Sequence, residues 1–457
     1  MNDPDQMVEF TYLHNQFTLS GDMITAKDLY VRTLGEPTVD SPIMASIEAR
    51  NASRDSHRFR HMLFDDAWPP REPTNGDHPA FELAGAEPKL FFDPAKTTAG
   101  IVTCGGLCPG LNDVIRGLTM VLWHRYGVRN ILGFRYGYEG INPTYGHEPI
   151  QLNPKIVGSI HEQGGTLLGS SRGPQDTEVM LDYLVKLGVN ILFCIGGDGT
   201  LRGALDISEA AHARGIPMSV VGLPKTIDND IKYVEQSFGL ITAATMAHEA
   251  VTAAHNEALG ARRGIGLVKL MGRHSGFISA GAALASNDVN YILIPEVDFP
   301  LEGDDGLLAH LEKRLDARGH AVIVVAEGSG QEYCAVEGSD QSGNKKLGDI
   351  GVYLRDRIVG HFRTIEKPVS MKYIDPSYMI RGVRAAPVDS VLCFRLAANA
   401  VHAAMSGRTE IIIGKWHGRF CHIPIKLAVS ERQCVDPHGE MWSAVIDATG
   451  QPRWVQT

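Results

Sequence analysis

The stretch Leu223-Pro224-Lys225-Thr226-Ile227-Asp228-Asn229-Asp230 sets two carboxylates one residue apart, directly after the apolar run Met218 to Leu223. In a loop at a strand end, one such carboxylate can accept a proton while the other lies near a metal. Asp-Asn-Asp is also ordinary turn chemistry, and taken alone it supports either reading. A second loop, Gly105-Gly106-Leu107-Cys108-Pro109-Gly110, follows the run GIVTC and leads into the helical pattern LNDVIRGLTMVLW. Glycines there permit tight turning and let a phosphate approach backbone N–H groups near a helix start. It is neither a GxGxxG nor a Walker A sequence, so alone it is a weak signal. Gly196-Gly197-Asp198-Gly199-Thr200, after NILFCI, is more specific. Its glycines let a polyphosphate lie on the backbone, and Asp198 is a candidate ligand for Mg²⁺, directly or through water. The plain alternative is a tight turn with Asp near a helix start, but an aspartate among three glycines is a costly way merely to turn a chain.

Such loops need strands to project from. From Ala99 onward, β-rich runs alternate with helix-length segments: AGIVTC, NILGF, NILFCI, MSVVGL, IGLVKLM, YILIPE, AVIVVAE, VSMKYI and EIIIG. The alternation indicates parallel sheets built from βαβ units, and runs apolar on both strand faces fit sheets covered by helices on each side. The expected architecture is α/β, with two doubly wound, Rossmann-like parallel-sheet domains. Ligands of open α/β sheets bind at the carboxyl ends of strands, so the Gly-, Asp- and Arg-rich loops after these runs should hold the chemistry. Residues 1–96 differ: they mix charges with Asn, Asp and Pro, and WPPREPTNGDHP has too many breakers for a regular element. This stretch reads as an extension before the core. Its Arg50, Arg54, Arg58 and Arg60 interleave with Glu48, Asp55 and Asp65, which favours a solvated face over an anion site. A subunit-wrapping arm is the functional alternative.

Length and composition, 457 residues with 44% apolar and 21% charged, describe a globular protein large enough for several domain-sized units. A formal net charge of −10 argues against nucleic acid or an anionic membrane as a partner, because both attract basic surfaces. No stretch reaches membrane-spanning length, and Asp3, Asp5 and Glu9 do not make a signal peptide's basic start. The seven cysteines are scattered without a Cys-x-x-Cys pair, as expected for reduced thiols in a cytoplasmic protein. Cys104 and Cys108 lack neighbouring His or Cys to complete a metal site.

The Gly-Gly-Asp-Gly-Thr loop resembles the phosphate loop shared by phosphofructokinases, NAD kinases and diacylglycerol-type lipid kinases. Pro224 to Asp230, Met271-Gly272-Arg273, Ala326-Glu327-Gly328 and Tyr378-Met379-Ile380-Arg381-Gly382 follow in the order of phosphofructokinase, and the resemblance runs over roughly residues 97–435. Within that family, GIVTCGGLCPGLNDVIR and the long extension are similar to the long-chain ATP-dependent branch of plants, some bacteria and trypanosomatids. The resemblance implies a nucleotide-binding domain of residues 97–240 plus about 380–435, a sugar-phosphate domain of 241–379, and a tail of 436–457. It also implies a homotetramer.

The implied reaction moves the γ-phosphoryl group of ATP to the 1-hydroxyl of fructose 6-phosphate, with Mg²⁺. Asp228 matches the family's base, and Arg273 and Arg172 match cations beside the transferred group. Gly106, Arg172, Gly173, Gly197, Asp198, Gly199 and Thr200 match the nucleotide site, with Asp198 at the metal. Thr226, Ile227, Met271, Gly272, Arg273, Glu327, Tyr378, Met379, Ile380 and Arg381 match the sugar-phosphate site. This chain departs from the compact bacterial pattern at Tyr378 (His there), at Lys372 (Arg there) and at Gly264, where an Arg donated by a neighbouring subunit is expected; Arg263 stands one place off. Two residues bear on the donor. Gly199 is typical of ATP users, whereas Lys225 is typical of pyrophosphate users. The long ATP-dependent branch combines both, and a steric block outweighs an extra cation, so ATP is expected. A pyrophosphate-dependent enzyme is the alternative. A non-catalytic regulatory subunit would be expected to lose Asp228, Asp230 or Arg273, and all three are present.

Overall fold

The computed structural model describes residues 18–19, 22–25, 27–52, 61–64, 79–338 and 345–454. Residues 68–78 of the breaker-rich stretch, Arg54, Arg58, Arg60 and the side chain of Arg50 lie outside the described residues. Two sheets organise the chain. Their strands, in chain order, are β1 (His61–Leu63), β2 (Ala80–Leu83), β3 (Thr98–Thr103), β4 (Asn130–Phe134), β5 (Ile150–Gln151), β6 (Ile191–Gly196) and β7 (Ser219–Pro224). They continue as β8 (Gly264–Leu270), β9 (Tyr291–Leu293), β10 (His320–Ala326), β11 (Ser370–Ile374), β12 (Ile411–Trp416) and β13 (Arg419–Pro424). Each β-rich run of the sequence overlaps one of these strands to within about two residues at either end, YILIPE apart. YILIPE forms only its first half, because Pro295 has no N–H for a ladder.

The main sheet has nine strands in the order β5-β4-β3-β6-β7-β12-β13-β2-β1. From β4 through β12 the pairing is parallel, and every residue of β3, β6 and β7 is buried. Both edges are antiparallel, which the expectation of purely parallel sheets did not include. One cause is the hairpin β12–β13, whose turn residues His417 and Gly418 both take positive φ (45° and 74°), the conformation a tight hairpin requires. Another is that β1 and β2 come from the stretch read as an extension and complete the sheet. The second sheet is parallel throughout, with four strands in the order β9-β10-β8-β11.

This order decides where a ligand can lie. The chain passes from β3 outward to β4 and then recrosses to β6 on the other side, so the crevice beyond β3 and β6 is a topological switch point. In the second sheet β10 and β11 flank β8, bringing the loops after all three together. The helix Leu240–Leu259 covers that sheet so closely that a Cβ at Gly264 would stand 2.0 Å from the Ala258 carbonyl oxygen. No side chain fits at the position where the family pattern puts an arginine. Arg263 beside it pairs with Asp316 at 2.6 Å and lies over the Phe362 ring, so it is engaged within its own chain.

Phe64, Phe81, Tyr233 and Trp416 form a ring cluster with centroids 5.4 to 6.2 Å apart. It fastens β2 to β12 and to the segment just after Asp230. Phe81 is fully buried there. Phe81→Ala is therefore expected to destabilise the fold by about 3–5 kcal/mol, read as a lower midpoint in denaturant unfolding.

Candidate active site

At the switch point the glycine loops are tied to one another. The N–H of Gly105 (φ 83°) donates to the Ser171 carbonyl at 3.0 Å, and Ser170 Oγ donates to the Gly105 carbonyl at 2.6 Å. A Cβ on Gly106 would come 3.3 Å from Arg172 Nη2, so that guanidinium lies against the glycine, with Gly173 beyond it at φ 100°. Lys225 Nζ donates to the Gly106 carbonyl at 2.7 Å, and its backbone N–H donates to Gly196 at 2.9 Å. Lys225 is buried, which pulls its pKa down. Gly106, Arg172, Lys225 and the loop after β6 are thus one cluster.

Asp198 opens the helix Asp198–Ala213, after the extended Gly197 at its N-cap, so its carboxylate stands at the positive end of the helix dipole. Thr200 is buried, and Tyr138 Oη donates to its carbonyl at 2.6 Å. Nothing lies within 4 Å of a Cβ added to Gly199. Protein packing does not demand glycine there, because the space in its Cβ direction is open.

The loop after β7 faces this cluster. Asn229 takes a left-handed φ of 56°, held by Ser237, whose N–H donates to Asn229 Oδ1 at 2.7 Å. The carboxylates on either side of it have different neighbours. Asp230 accepts from Thr226 Oγ1 at 2.8 Å and from Arg432 Nη1 at 2.7 Å. Asp228 is fixed by its backbone: its N–H donates to Thr226 Oγ1 at 3.1 Å and its carbonyl accepts from Ser275 Oγ at 2.6 Å. Its Oδ1 is buried with no hydrogen-bond partner among the described residues. Burial, with Asp230 and Glu327 adding repulsion, pushes the Asp228 carboxyl up to about 7.

Strands β8 and β10 supply the opposite wall. Gly272 takes φ 127°, and a Cβ on Gly328 would come 2.0 Å from the Arg273 carbonyl oxygen, so Met271-Gly272-Arg273 and Glu327-Gly328 interlock. Arg273 Nη1 donates to the Lys345 carbonyl at 2.7 Å. Burial raises the Glu327 pKa, against the pull of Arg273, Lys269 and Arg381. Lys269 pairs with Asp375 at 2.9 Å, anchoring the turn before the helix Ser377–Arg381. On that helix Arg381 lies over the Tyr378 ring at 4.7 Å, while Tyr378 and Met379 are exposed. Ile227 and Ile380 are buried, so their side chains pack and only their backbones remain for a ligand. Met271 is half-buried against the core. Lys372 lies 3.5 Å from Glu257.

Sequence reasoning gave no role to Arg432, Tyr138, Ser275 or Arg202. Arg202 had a signal, since it sits one helical turn beyond Asp198 and pairs with it at 3.2 Å. Arg432 had none, being 202 positions from the aspartate it holds. All seven cysteines are free. No group of three or more His, Cys, Asp or Glu positioned for a metal occurs among the described residues. Asp198, at the start of its helix, is a single carboxylate of the kind that fits a hard cation held mostly by ligand oxygens. Among the described residues no helix is long and apolar enough to cross a membrane.

A base must be unprotonated to work. If Asp228, pushed up to about 7, is that base, kcat/KM should fall tenfold per pH unit below about 7 and level off above it, as measured in pH–rate profiles of the free enzyme.

The family model described as Phosphofructokinase matches residues 98–404. An ATP-dependent 6-phosphofructokinase of Amycolatopsis methanolica is 48% identical over 437 residues, covering 93% of this chain and 95% of that protein. One from Trypanosoma brucei brucei is 46% identical over 438 residues, covering 93% and 88%. Among solved structures, the pyrophosphate-dependent phosphofructokinase of Marinobacter aquaeolei superposes with a TM-score of 0.64 at 18% identity, covering 78% of this chain and 91% of that one. That likeness concerns the fold alone. The second sheet and five strands of the main sheet fall within the matched region, and the sequence relatives extend along nearly the whole length, so the chain belongs to the phosphofructokinase family.

Proposed function

We propose that this protein transfers the γ-phosphoryl group of ATP to the 1-hydroxyl of fructose 6-phosphate, giving fructose 1,6-bisphosphate and ADP, as a step of glycolysis. The observation that carries the reading is the unpartnered, buried Oδ1 of Asp228, lying between the glycine loops of one sheet and the Arg273 and Glu327 loops of the other. Asp228 accepts the proton of the attacking hydroxyl. Arg172 and Arg273 neutralise charge on the moving phosphoryl group, since phosphoryl transfer is catalysed mainly by positioning and charge compensation. Gly106, Gly173, Gly197, Gly199 and Thr200 line the nucleotide phosphates through their backbone. Asp198 would hold Mg²⁺, which would supply further neutralisation on the phosphates.

On the sugar side Glu327 accepts from hydroxyls, and Arg381 with Tyr378 meets the 6-phosphate. Thr226 keeps Asp230 and the backbone of Asp228 in place, and the backbones of Ile227, Met271, Gly272, Met379 and Ile380 shape the pocket. Residues 97–240 with about 380–435 form the nucleotide domain, to which the strands His61–Leu63 and Ala80–Leu83 of residues 1–96 add, and 241–379 form the sugar-phosphate domain, with 436–457 as a tail. The assembly is a homotetramer in the cytoplasm; exposed Val388, Val391 and Phe394 on the helix Pro387–Met405 support subunit contact.

ATP is the donor because the space beside Gly199 is open. A coupled assay offering MgATP and pyrophosphate separately should show turnover with MgATP; faster turnover with pyrophosphate would reverse the assignment.

A further inference from the structure

Arg432 lies on the segment after β13, and that segment is sewn onto the catalytic loop. Ile231 and Arg432 form an isolated antiparallel bridge, the Gln433 N–H donates to the Asp230 carbonyl at 3.0 Å, and Gln433 Nε2 donates to Asn229 O at 3.2 Å. On the far side, the Val435 N–H donates to Glu296 Oε1 at 2.7 Å, and that same oxygen accepts from the Gly276 N–H at 2.9 Å. The backbone of its segment is therefore held from both sides, while the guanidinium is held only by the acids it meets. It reaches two acids at once: Nη1 is 2.7 Å from Asp230 Oδ2, and Nη2 is 3.8 Å from Asp198 Oδ2. Arg202 also pairs with Asp198, but along its own helix and from a more exposed position. Arg432 is the cation that the two acids share.

We propose that Arg432 is a resident counter-cation holding the place between Asp198 and Asp230, so that the nucleotide-free enzyme resists a bare divalent ion and takes its metal only with the nucleotide. Two carboxylates facing one cleft would otherwise attract a free divalent cation, and a metal bound there without nucleotide would lead nowhere. The guanidinium supplies one positive charge, with a planar fork suited to bridging carboxylates and no path to deprotonation. Phosphates arriving with their own Mg²⁺ bring negative charge as well, and Arg432 can turn toward that charge as it yields Asp198. It acts as a positioning residue, through the acids.

The inference rests on Asp198 as the metal-side carboxylate. The test measures Mn²⁺ binding to the full chain by electron paramagnetic resonance, with neither nucleotide nor sugar present. Arg432→Gln and Arg432→Met, two shapes without charge, should each bind Mn²⁺ at least about tenfold tighter than the parent. Arg432→Lys should remain close to the parent. Adding Asp198→Asn to Arg432→Gln should abolish the gain. Unchanged Mn²⁺ affinity in the neutral variants, an equal gain in the lysine variant, or a gain that survives Asp198→Asn would each overturn the proposal. Failure of the assigned reaction would show separately, as absent ATP-dependent turnover in the parent protein.

Discussion

Asp228→Ser is expected to lower kcat by about a thousandfold or more, at the upper end of what a positioned general base contributes, with little change in KM for fructose 6-phosphate. The loop should survive the change. Its shape comes from backbone bonds to Thr226 and Ser275 and from Asn229 at φ 56°, none of which uses the Asp228 carboxylate. Oδ1 of the replaced side chain makes no hydrogen bond among the described residues, and losing the carboxylate's contact with the Arg273 backbone is offset by relief from burial and from two neighbouring acids. Thermal stability should therefore hold or rise slightly while turnover collapses. Steady-state kinetics beside a melting curve separate these effects. A kcat within tenfold of the parent would remove Asp228 from the base role.

The second large effect is expected at Gly199. Its Cβ direction is open, so Gly199→Asp should be tolerated by the fold. A carboxylate there would stand in the space assigned to the nucleotide, beside Asp198 and the donor phosphates. Placing like charges together costs several kcal/mol. We expect kcat/KM for MgATP to fall by roughly a hundredfold or more, while the melting temperature changes little. Pyrophosphate, which lacks the α-phosphate and nucleoside, should lose far less. An equal loss for both donors would mean that the aspartate acts on the shared phosphates and not on what distinguishes the donors.

Much of this was legible in the primary structure, for identifiable reasons. Strands such as Thr98–Thr103 and Ile191–Gly196 are buried on both faces, and that condition writes an unbroken apolar run into the sequence. Part of the glycine pattern was visible because a side chain has no room at some of these positions, as at Gly196, where a Cβ would lie 2.1 Å from the Thr200 side-chain Oγ1. The antiparallel strands were not legible. His61–Leu63 and Ala80–Leu83 are short and only partly buried, and Arg419–Pro424, though mostly buried, pairs on one side with residues more than 330 positions away. Tyr378 and Arg381 could be named by family pattern, but their stacking could not. The engagement of Asp230 by Arg432 was equally hidden, because a salt bridge across 202 positions leaves no local pattern. Gly264 gave a partial signal: a missing arginine was visible, and the helix carbonyl that forbids any side chain there was not.

The insertion of β12 beside β7 bears on how the molecule comes into being. Until residues 411–416 leave the ribosome, β7 is an unprotected edge strand with its row of N–H and C=O groups unpaired. The loop carrying Asp228 leaves that same strand, and its clamp at Arg432 is synthesised later still. Pairings so far apart in the chain close slowly, and they leave apolar strands open to wrong partners while they wait. A nascent or truncated chain should thus hold both glycine loops long before it holds a working site. Catalytic competence arrives among the last events of folding, and partial chains would be clients for chaperones and not sluggish enzymes.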